Sequence, residues 1–211
     1  SIAMIPGCGQ SDSGAGEASA SLPANLIEGN NRGVGLMGQF DYDGAWEVFN
    51  GLVESYPDHP QLRINLAIAQ LNRQGPGDEQ GAMKILEEVI DEHPSNLRAL
   101  YVSAILSGYM GDVETSNNRF RLVAEADPSD AYAAYYTGQG FAQSGEHAQA
   151  IEWFERSMEL DPYLRSAIYG AAQATRRAGS SEEADRFLEE FQLLADNPRA
   201  HLAEIKYTKM G

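Results

Sequence analysis

Basic residues are scarce in this sequence. Only 15 Lys and Arg stand against 31 Asp and Glu, which gives a formal net charge of −16 at pH 7. Binding to nucleic acids or to anionic membrane surfaces depends on basic side chains that neutralise phosphates and release their counterions. We therefore expect no nucleic-acid partner. A chain this acidic favours a neutral to basic protein or peptide instead, because like charges slow the encounter of two proteins.

Long apolar runs are also absent. No stretch of the sequence approaches the ~18–20 consecutive apolar residues that a membrane-spanning helix needs. We therefore expect no transmembrane segment. Apolar residues nevertheless make up 43% of the chain, which is enough for a continuous core.

The chain has one cysteine, Cys8, so no disulfide can form within it. The residues Ile5-Pro6-Gly7-Cys8 resemble the end of a bacterial lipoprotein signal, and the polar, Gly/Ser/Ala-rich stretch that follows resembles a flexible tether. This reading predicts lipidation at Cys8 and a place in the bacterial cell envelope, either periplasmic or lipid-anchored. A cytoplasmic location stays open, because no charged n-region or full apolar h-region precedes Cys8.

Motifs for catalysis and cofactor binding are missing as well. Gly33, Gly35 and Gly38 fit G-x-G-x-x-G, but a dinucleotide site needs a strand before that motif, and the preceding residues are polar with a helical period. There is no G-x-S-x-G, and no His lies three or four residues from another His or a Cys. We therefore expect no enzyme activity, no metal and no cofactor.

A repeat of 34 residues dominates the sequence. The positions that keep this step are Gly111, Gly145 and Gly179; Pro94, Pro128 and Pro162; Tyr101, Tyr135 and Tyr169; and Ala82, Ser116, Ala150 and Ala184. Self-similarity at this period is typical of stacked helix–turn–helix units, each too small to bury its own apolar face. The pattern predicts an all-α, right-handed superhelical solenoid.

The periodicity also predicts how the chain is divided. Residues 1–24 form a flexible leader or linker, and residues 197–211 form a C-terminal capping helix, since that stretch is more polar, as the end of a solenoid should be. Between them we expect five repeats of two helices each. Their approximate bounds are 25–59, 60–95, 96–129, 130–163 and 164–196.

The repeats resemble the tetratricopeptide repeat (TPR) over about residues 26–195. In the fourth unit the signature positions of that family hold Gly138, Phe141, Gly145, Ala150, Phe154 and Pro162. The first unit departs at Phe40, where a glycine usually joins the two helices, and at Gly29, where a large apolar residue is usual. The resemblance implies a scaffold that binds a protein or peptide segment in the concave groove of the solenoid.

A narrower resemblance concerns three short segments, at residues 31–34, 161–167 and 206–211. They look like the repeat segment that stands in front of some bacterial ASPIC/UnbV proteins, in which a propeller of FG-GAP repeats follows. This resemblance implies an alternative function: an N-terminal module of a larger exported protein whose other domain carries the activity.

The tyrosines of the repeat are the candidate binding residues. Tyr101, Tyr135 and Tyr169, the tyrosine row, occupy one position in three consecutive first helices, and in the resembled family this position faces the groove. Tyrosine offers a large contact area with a polar tip, so we expect these side chains to be partly exposed. The alternative is that they pack as core. The predicted groove residues are Asn65, Arg73, Tyr101, Tyr109, Tyr132, Tyr135, Gln139, Tyr169, Gln173 and Arg176, with Asn30, Asn72, Arg98 and Ile105 nearby.

Overall fold

The structure is a computed structural model that describes residues 22–204. Ten α-helices follow one another in this range. They are α1 (Ala24–Gly38), α2 (Tyr42–Ser55), α3 (Pro60–Arg73), α4 (Asp78–Glu92), α5 (Leu97–Tyr109), α6 (Val113–Ala126), α7 (Ala131–Gln143), α8 (His147–Leu160), α9 (Arg165–Arg177) and α10 (Ser181–Leu193). Consecutive helices pack on each other, and α7 also contacts α9. The predicted all-α solenoid of helix pairs is confirmed.

Short turns join the two helices of each pair. Gly111 and Gly145 stand in these turns with φ of 89° and 81°, in the left-handed region that glycine enters without steric cost. Phe40 stands at the corresponding place in the first pair and adopts φ of 63°, with 70% of its surface exposed. Since a Cβ atom costs roughly 1–2 kcal/mol in this region, the departure noted in the sequence strains the backbone.

The core runs along the solenoid through large side chains of the second helices. Phe49, Leu86, Phe120 and Phe154 are all buried. Gly138 leaves room for Phe154, because a Cβ atom there would lie 2.9 Å from Cδ1 of that ring. Each such side chain stabilises the fold by about 1.5–3 kcal/mol through its burial.

Side-chain caps fix the first turns of two helices that line the site described below. Asn96 accepts a hydrogen bond from the amide of Ala99 at 3.0 Å, and Asp130 accepts one from the amide of Ala133 at 2.9 Å. These bonds satisfy amides that the helix itself leaves unpaired. They hold the beginnings of α5 and α7 in place.

The predicted C-terminal capping helix is wrong over its described part. After α10 the chain turns at Asn197 and then forms an isolated parallel bridge between His201 and Leu164. Main-chain hydrogen bonds between His201 and the residues around the beginning of α9 take the place of the i to i−4 bonds of a helix. The rest of that prediction, residues 205–211, and the predicted leader up to residue 21, with Cys8, lie outside the described residues.

Among residues 22–204, no helix combines the length and the apolar character that crossing a bilayer requires.

Candidate functional site: a groove along three first helices

The first helices of the last three pairs, α5, α7 and α9, share one surface with two adjacent clefts. We call the two clefts together the groove. The α5–α7 cleft has a volume of about 530 Å³ and the α7–α9 cleft about 300 Å³. Side chains of the α5–α7 cleft include Arg98, Tyr101, Ile105, Asp130, Tyr132 and Tyr136. Those of the α7–α9 cleft include Tyr135, Gln139, Ser166, Tyr169, Gln173 and Arg177.

The three members of the tyrosine row differ in exposure. Tyr169 is 46% exposed, Tyr101 is partly buried, and Tyr135 is only 8% exposed. The expectation of partial exposure is therefore wrong for Tyr135. Its ring packs between Tyr136 and Phe154, with centroids 5.0 and 5.9 Å away, and its hydroxyl accepts a hydrogen bond from Gln139 at 2.6 Å.

The environment of three tyrosines that line the α5–α7 cleft favours the protonated form of their hydroxyls. Burial is the main cause that raises the pKa of Tyr101, Tyr132 and Tyr136. Nearby acidic groups add to the effect at Tyr132, where Asp161 and Glu204 raise the pKa further. Neutral phenols in an apolar cleft present a flat contact surface and a hydrogen-bonding tip.

A chain of polar side chains connects this surface to the earlier repeats. The amide of Asn65 donates to Oδ1 of Asn30 at 2.7 Å, and the guanidinium of Arg98 donates to Oδ1 of Asn65 at 2.8 Å. Asn65 is buried. It therefore positions Arg98 at the α5–α7 cleft rather than offering a free amide to a partner. Burial lowers the pKa of Arg98.

Two arginines predicted for the groove are turned elsewhere. The Arg73 guanidinium lies 4.4 Å from the centre of the Trp46 ring and 2.8 Å from Oδ1 of Asp78. Asp78 is almost fully buried and needs this partner, so Arg73 belongs to the packing around the α3–α4 turn. Arg176 pairs with Asp185 of α10 at 2.7 Å. Neither arginine lines the two clefts.

Of the remaining predicted residues, some line the clefts and one does not. Tyr132, Gln139 and Gln173 line the clefts, as stated above. Tyr109 is 68% exposed at the end of α5 and lines neither cleft.

Sequence reasoning missed several residues that the structure brings to the clefts, among them Tyr136, Ser166 and Arg177. Ser166 follows Tyr132 by one step of 34 residues, so the repeat itself carried the signal for it. Tyr136 follows Tyr135 in the sequence but is not a member of the tyrosine row. Arg177 lines the α7–α9 cleft, whereas the sequence predicts its neighbour Arg176 for the groove.

The described part of the chain contains no group of three or more His, Cys, Asp or Glu side chains that could hold a metal ion.

Several solved structures share this fold. "MamA 41-end from Desulfovibrio magneticus RS-1" superposes with a TM-score of 0.72 at 17% identity, over 84% of this chain and 99% of that one. "MamA RS-1 ArsTM double mutant" gives 0.71 at 17% identity, over 82% and 96%. At this level of identity the similarity concerns the fold alone.

One curated relative is closer in sequence. "Photosystem I assembly protein Ycf3" of Acaryochloris marina (strain MBIC 11017) is 35% identical over 83 residues, covering 36% of this chain and 48% of that protein. The match thus spans about half the length of this relative.

Two family models match the sequence, and both describe the tetratricopeptide repeat. One matches residues 101–165 and the other residues 64–96. Both segments lie within the helix pairs described above, and the first includes α7 with its cleft-lining tyrosines. Residues 64–96 and 101–165 of this chain are thus similar to the tetratricopeptide repeat.

Proposed function

We propose that this chain is a protein–protein interaction scaffold that binds a segment of another protein along the groove. The observation that carries the proposal is the adjacency of the two clefts. Helix α7 gives Tyr132 and Tyr136 to one cleft and Tyr135 and Gln139 to the other. A bound segment can therefore contact both clefts without leaving the surface.

The groove has the chemistry of a recognition surface. Tyr101, Ile105 and Tyr136 form an apolar wall that can bury a large side chain of a partner. In the adjacent α7–α9 cleft, the exposed amide of Gln173 can hydrogen-bond to the same partner. Interfaces of this type draw most of their binding energy from a few aromatic anchors, and the surrounding polar groups set the register.

The charge of the chain favours a neutral to basic partner. Asp127 and Asp130 line the α5–α7 cleft together with Glu204. The formal net charge of −16 acts over the whole surface. Complementary charge speeds encounter, and added salt weakens this effect.

A non-enzymatic role agrees with the name of the relative that matches part of the chain. That protein is named for the assembly of photosystem I. Bringing proteins together is work that a repeat scaffold does with its surface alone. We propose the same kind of role here, without a catalytic step or cofactor and with a different set of partners.

Location at the bacterial cell envelope remains a separate proposal, which rests on the residues before Cys8. Mass spectrometry of the protein from its native host tests it. We expect a processed, acylated Cys8. An intact peptide that reads through Ile5-Pro6-Gly7-Cys8 with a free thiol would support the cytoplasmic alternative.

The alternative of an N-terminal module in a larger exported protein rests on the three short segments of the narrower resemblance. An immunoblot of native extract with an antibody against α7–α10 distinguishes this module from a scaffold that forms a unit by itself. A band near the 23.0 kDa of this chain supports the scaffold as a unit. A much larger band supports the module.

Affinity capture from native extract tests the groove directly. Tyr169 and Gln173 are exposed in the α7–α9 cleft, so replacing both with Ala should leave the helices intact. We expect captured partner to fall at least tenfold, since an aromatic anchor often contributes about 2 kcal/mol or more. Leu122→Ala, an exposed apolar change on the second helix α6, is the matched control and should bind as wild type.

A further inference from the structure

The segment after α10 returns to the groove and pairs with the main chain there. The amide of Arg165 donates to the carbonyl of His201 at 2.9 Å, and the amide of His201 donates to the carbonyl of Tyr163 at 2.9 Å. This two-way exchange is the pattern of a short parallel β-bridge across Leu164. We call residues 199–204 the tail.

Side chains hold the tail against the groove at two further points. The guanidinium of Arg199 lies 4.0 Å from the centre of the Tyr163 ring. The His201 ring stacks on Tyr132 with centroids 6.2 Å apart, and its Nε2 lies 3.1 Å from Oδ2 of Asp161. Tyr132 is one of the predicted groove residues, so the tail covers part of the proposed binding surface.

The end of the tail reaches both clefts. The amide of Ala203 donates to Oγ of Ser166 at 2.8 Å, and Ser166 lines the α7–α9 cleft. The Ala203 side chain packs on the core cluster that contains Tyr135 and Leu164. On the other side, Leu202 and Glu204 form part of the wall of the α5–α7 cleft.

Most of these bonds use the main chain of the tail. Main-chain pairing fixes an extended conformation but reads little sequence, and the pockets beside it add the selectivity. The surface beneath the tail offers three such bonds. It also offers a contact site for a ring between Asp161 and Tyr132, and room for a small side chain at Ala203. A helix cannot make these bonds, because its own main-chain groups are already paired.

We propose that the tail is an intramolecular ligand of the groove, and that a partner binds as an extended segment that displaces it. This inference rests on the proposed function, since it names the conformation of the partner and the step that admits it. The tail is present at an effective concentration of the order of millimolar, so it competes strongly with a partner in solution.

A disulfide lock tests whether the tail lies on this surface, next to Ser166. Ser166→Cys and Ala203→Cys are introduced together in a Cys8→Ser chain, and mild oxidation follows. We expect the 166–203 linkage to form in most molecules. Ser180→Cys with Ala203→Cys is the matched control, because residue 180 lies beyond the other end of α9, and it should remain reduced.

A synthetic peptide of residues 197–204, labelled with fluorescein, then tests displacement in trans. Ala203→Asp places a carboxylate where the tail packs on the core, and it should release the tail. Fluorescence anisotropy should show the peptide binding the Ala203→Asp protein, and at least tenfold less binding to the locked protein. His201→Pro removes the donor to Tyr163 without adding charge, and it should act like Ala203→Asp.

The proposal is overturned if the linkage does not form above the control. It is also overturned if neither releasing variant binds the peptide, or if locked and released proteins bind it equally. Circular dichroism confirms that the variants keep their helices, and His201→Pro carries the test should Ala203→Asp unfold. The peptide experiment needs no native partner. Failure of the proposed function would therefore appear in the capture experiment and leave this one intact.

Discussion

Phe154 lies directly against the backbone of Gly138, where a Cβ atom would be 2.9 Å from Cδ1 of the ring. On its other side the same ring faces Gly170, where a Cβ atom would be 2.6 Å from Cε1. One side chain of α8 thus fills the space between α7 and α9, the two helices that form the α7–α9 cleft. The shape of the cleft depends on this contact.

Phe154→Ala should lower the free energy of unfolding by about 3–5 kcal/mol, because the ring is 1% exposed and its loss leaves a cavity. Urea unfolding followed by circular dichroism measures the change. Phe120→Ala should lower the free energy of unfolding by a similar amount. Glu155→Ala, an exposed neighbour, should stay within about 0.5 kcal/mol of wild type. A midpoint for Phe154→Ala within error of wild type would rule out this core assignment.

Phe40→Gly should raise the free energy of unfolding by about 1 kcal/mol. The substitution removes a Cβ atom from a left-handed residue, and the side chain it deletes is 70% exposed. Gly145→Ala makes the opposite change at the corresponding turn, φ 81°, and should lower stability by a similar amount. Thermal unfolding of both variants checks the pair. Shifts of the same sign would contradict the account of these turns.

The Arg73–Asp78 pair should make stability fall at acid pH. The hydrogen bond from Arg73 is the main cause that lowers the pKa of Asp78. The carboxylate therefore stabilises the fold above pH ~4, the ordinary value of an Asp, and this contribution is lost as the pH falls below it. Asp78→Asn should cost about 1–3 kcal/mol at pH 7 and less at pH 3.

Trp46 offers the readout for that pair, since Arg73 stacks on its ring. In a Trp153→Phe background, the fluorescence of the remaining tryptophan should change with Asp78→Asn at pH 7. Equal destabilisation at both pH values would show that the charge of Asp78 is not the cause.

Alkaline pH should destabilise the fold through the buried tyrosines. The pKa of Tyr101 and Tyr136 is raised mainly by burial, so the folded chain keeps protons that the unfolded chain releases near pH 10. Full stability holds below that pH and falls above it, by up to about 1.4 kcal/mol per pH unit for each tyrosine. Tyr136→Phe should make the fall shallower in urea unfolding between pH 9 and 11. An unchanged slope would contradict this origin.

The repeat explains why much of the fold could be predicted from the sequence. Equal steps of 34 residues put Tyr101, Tyr135 and Tyr169 at equivalent helix positions, and the departure at Phe40 marked the strained turn. Exposure could not be predicted in the same way. It depends on neighbours that differ between units, such as Tyr136 beside Tyr135, where the adjacent units have Val102 and Gly170.

The tail shows where local signals fail. Asn197 followed by Pro198 is a typical helix start, since Asn caps and Pro suits the first turn. Hydrogen bonds to Tyr163 and Arg165 replaced the helix, and these partners lie more than thirty residues away in sequence. No local pattern encodes such pairing. Arg73 illustrates the same limit, because its preference for Asp78 depends on how deeply that carboxylate is buried.

Site-specific photo-cross-linking in the native host tests the central claim, that the groove binds another protein, most directly. A benzophenone amino acid replaces Gln173 or Gln139 in the clefts, and Glu155 on α8 serves as the exposed control outside them. We predict that irradiation joins the chain to one and the same partner protein from both cleft positions and not from residue 155. Cross-links that form only from residue 155, or from all three positions alike, would contradict the claim.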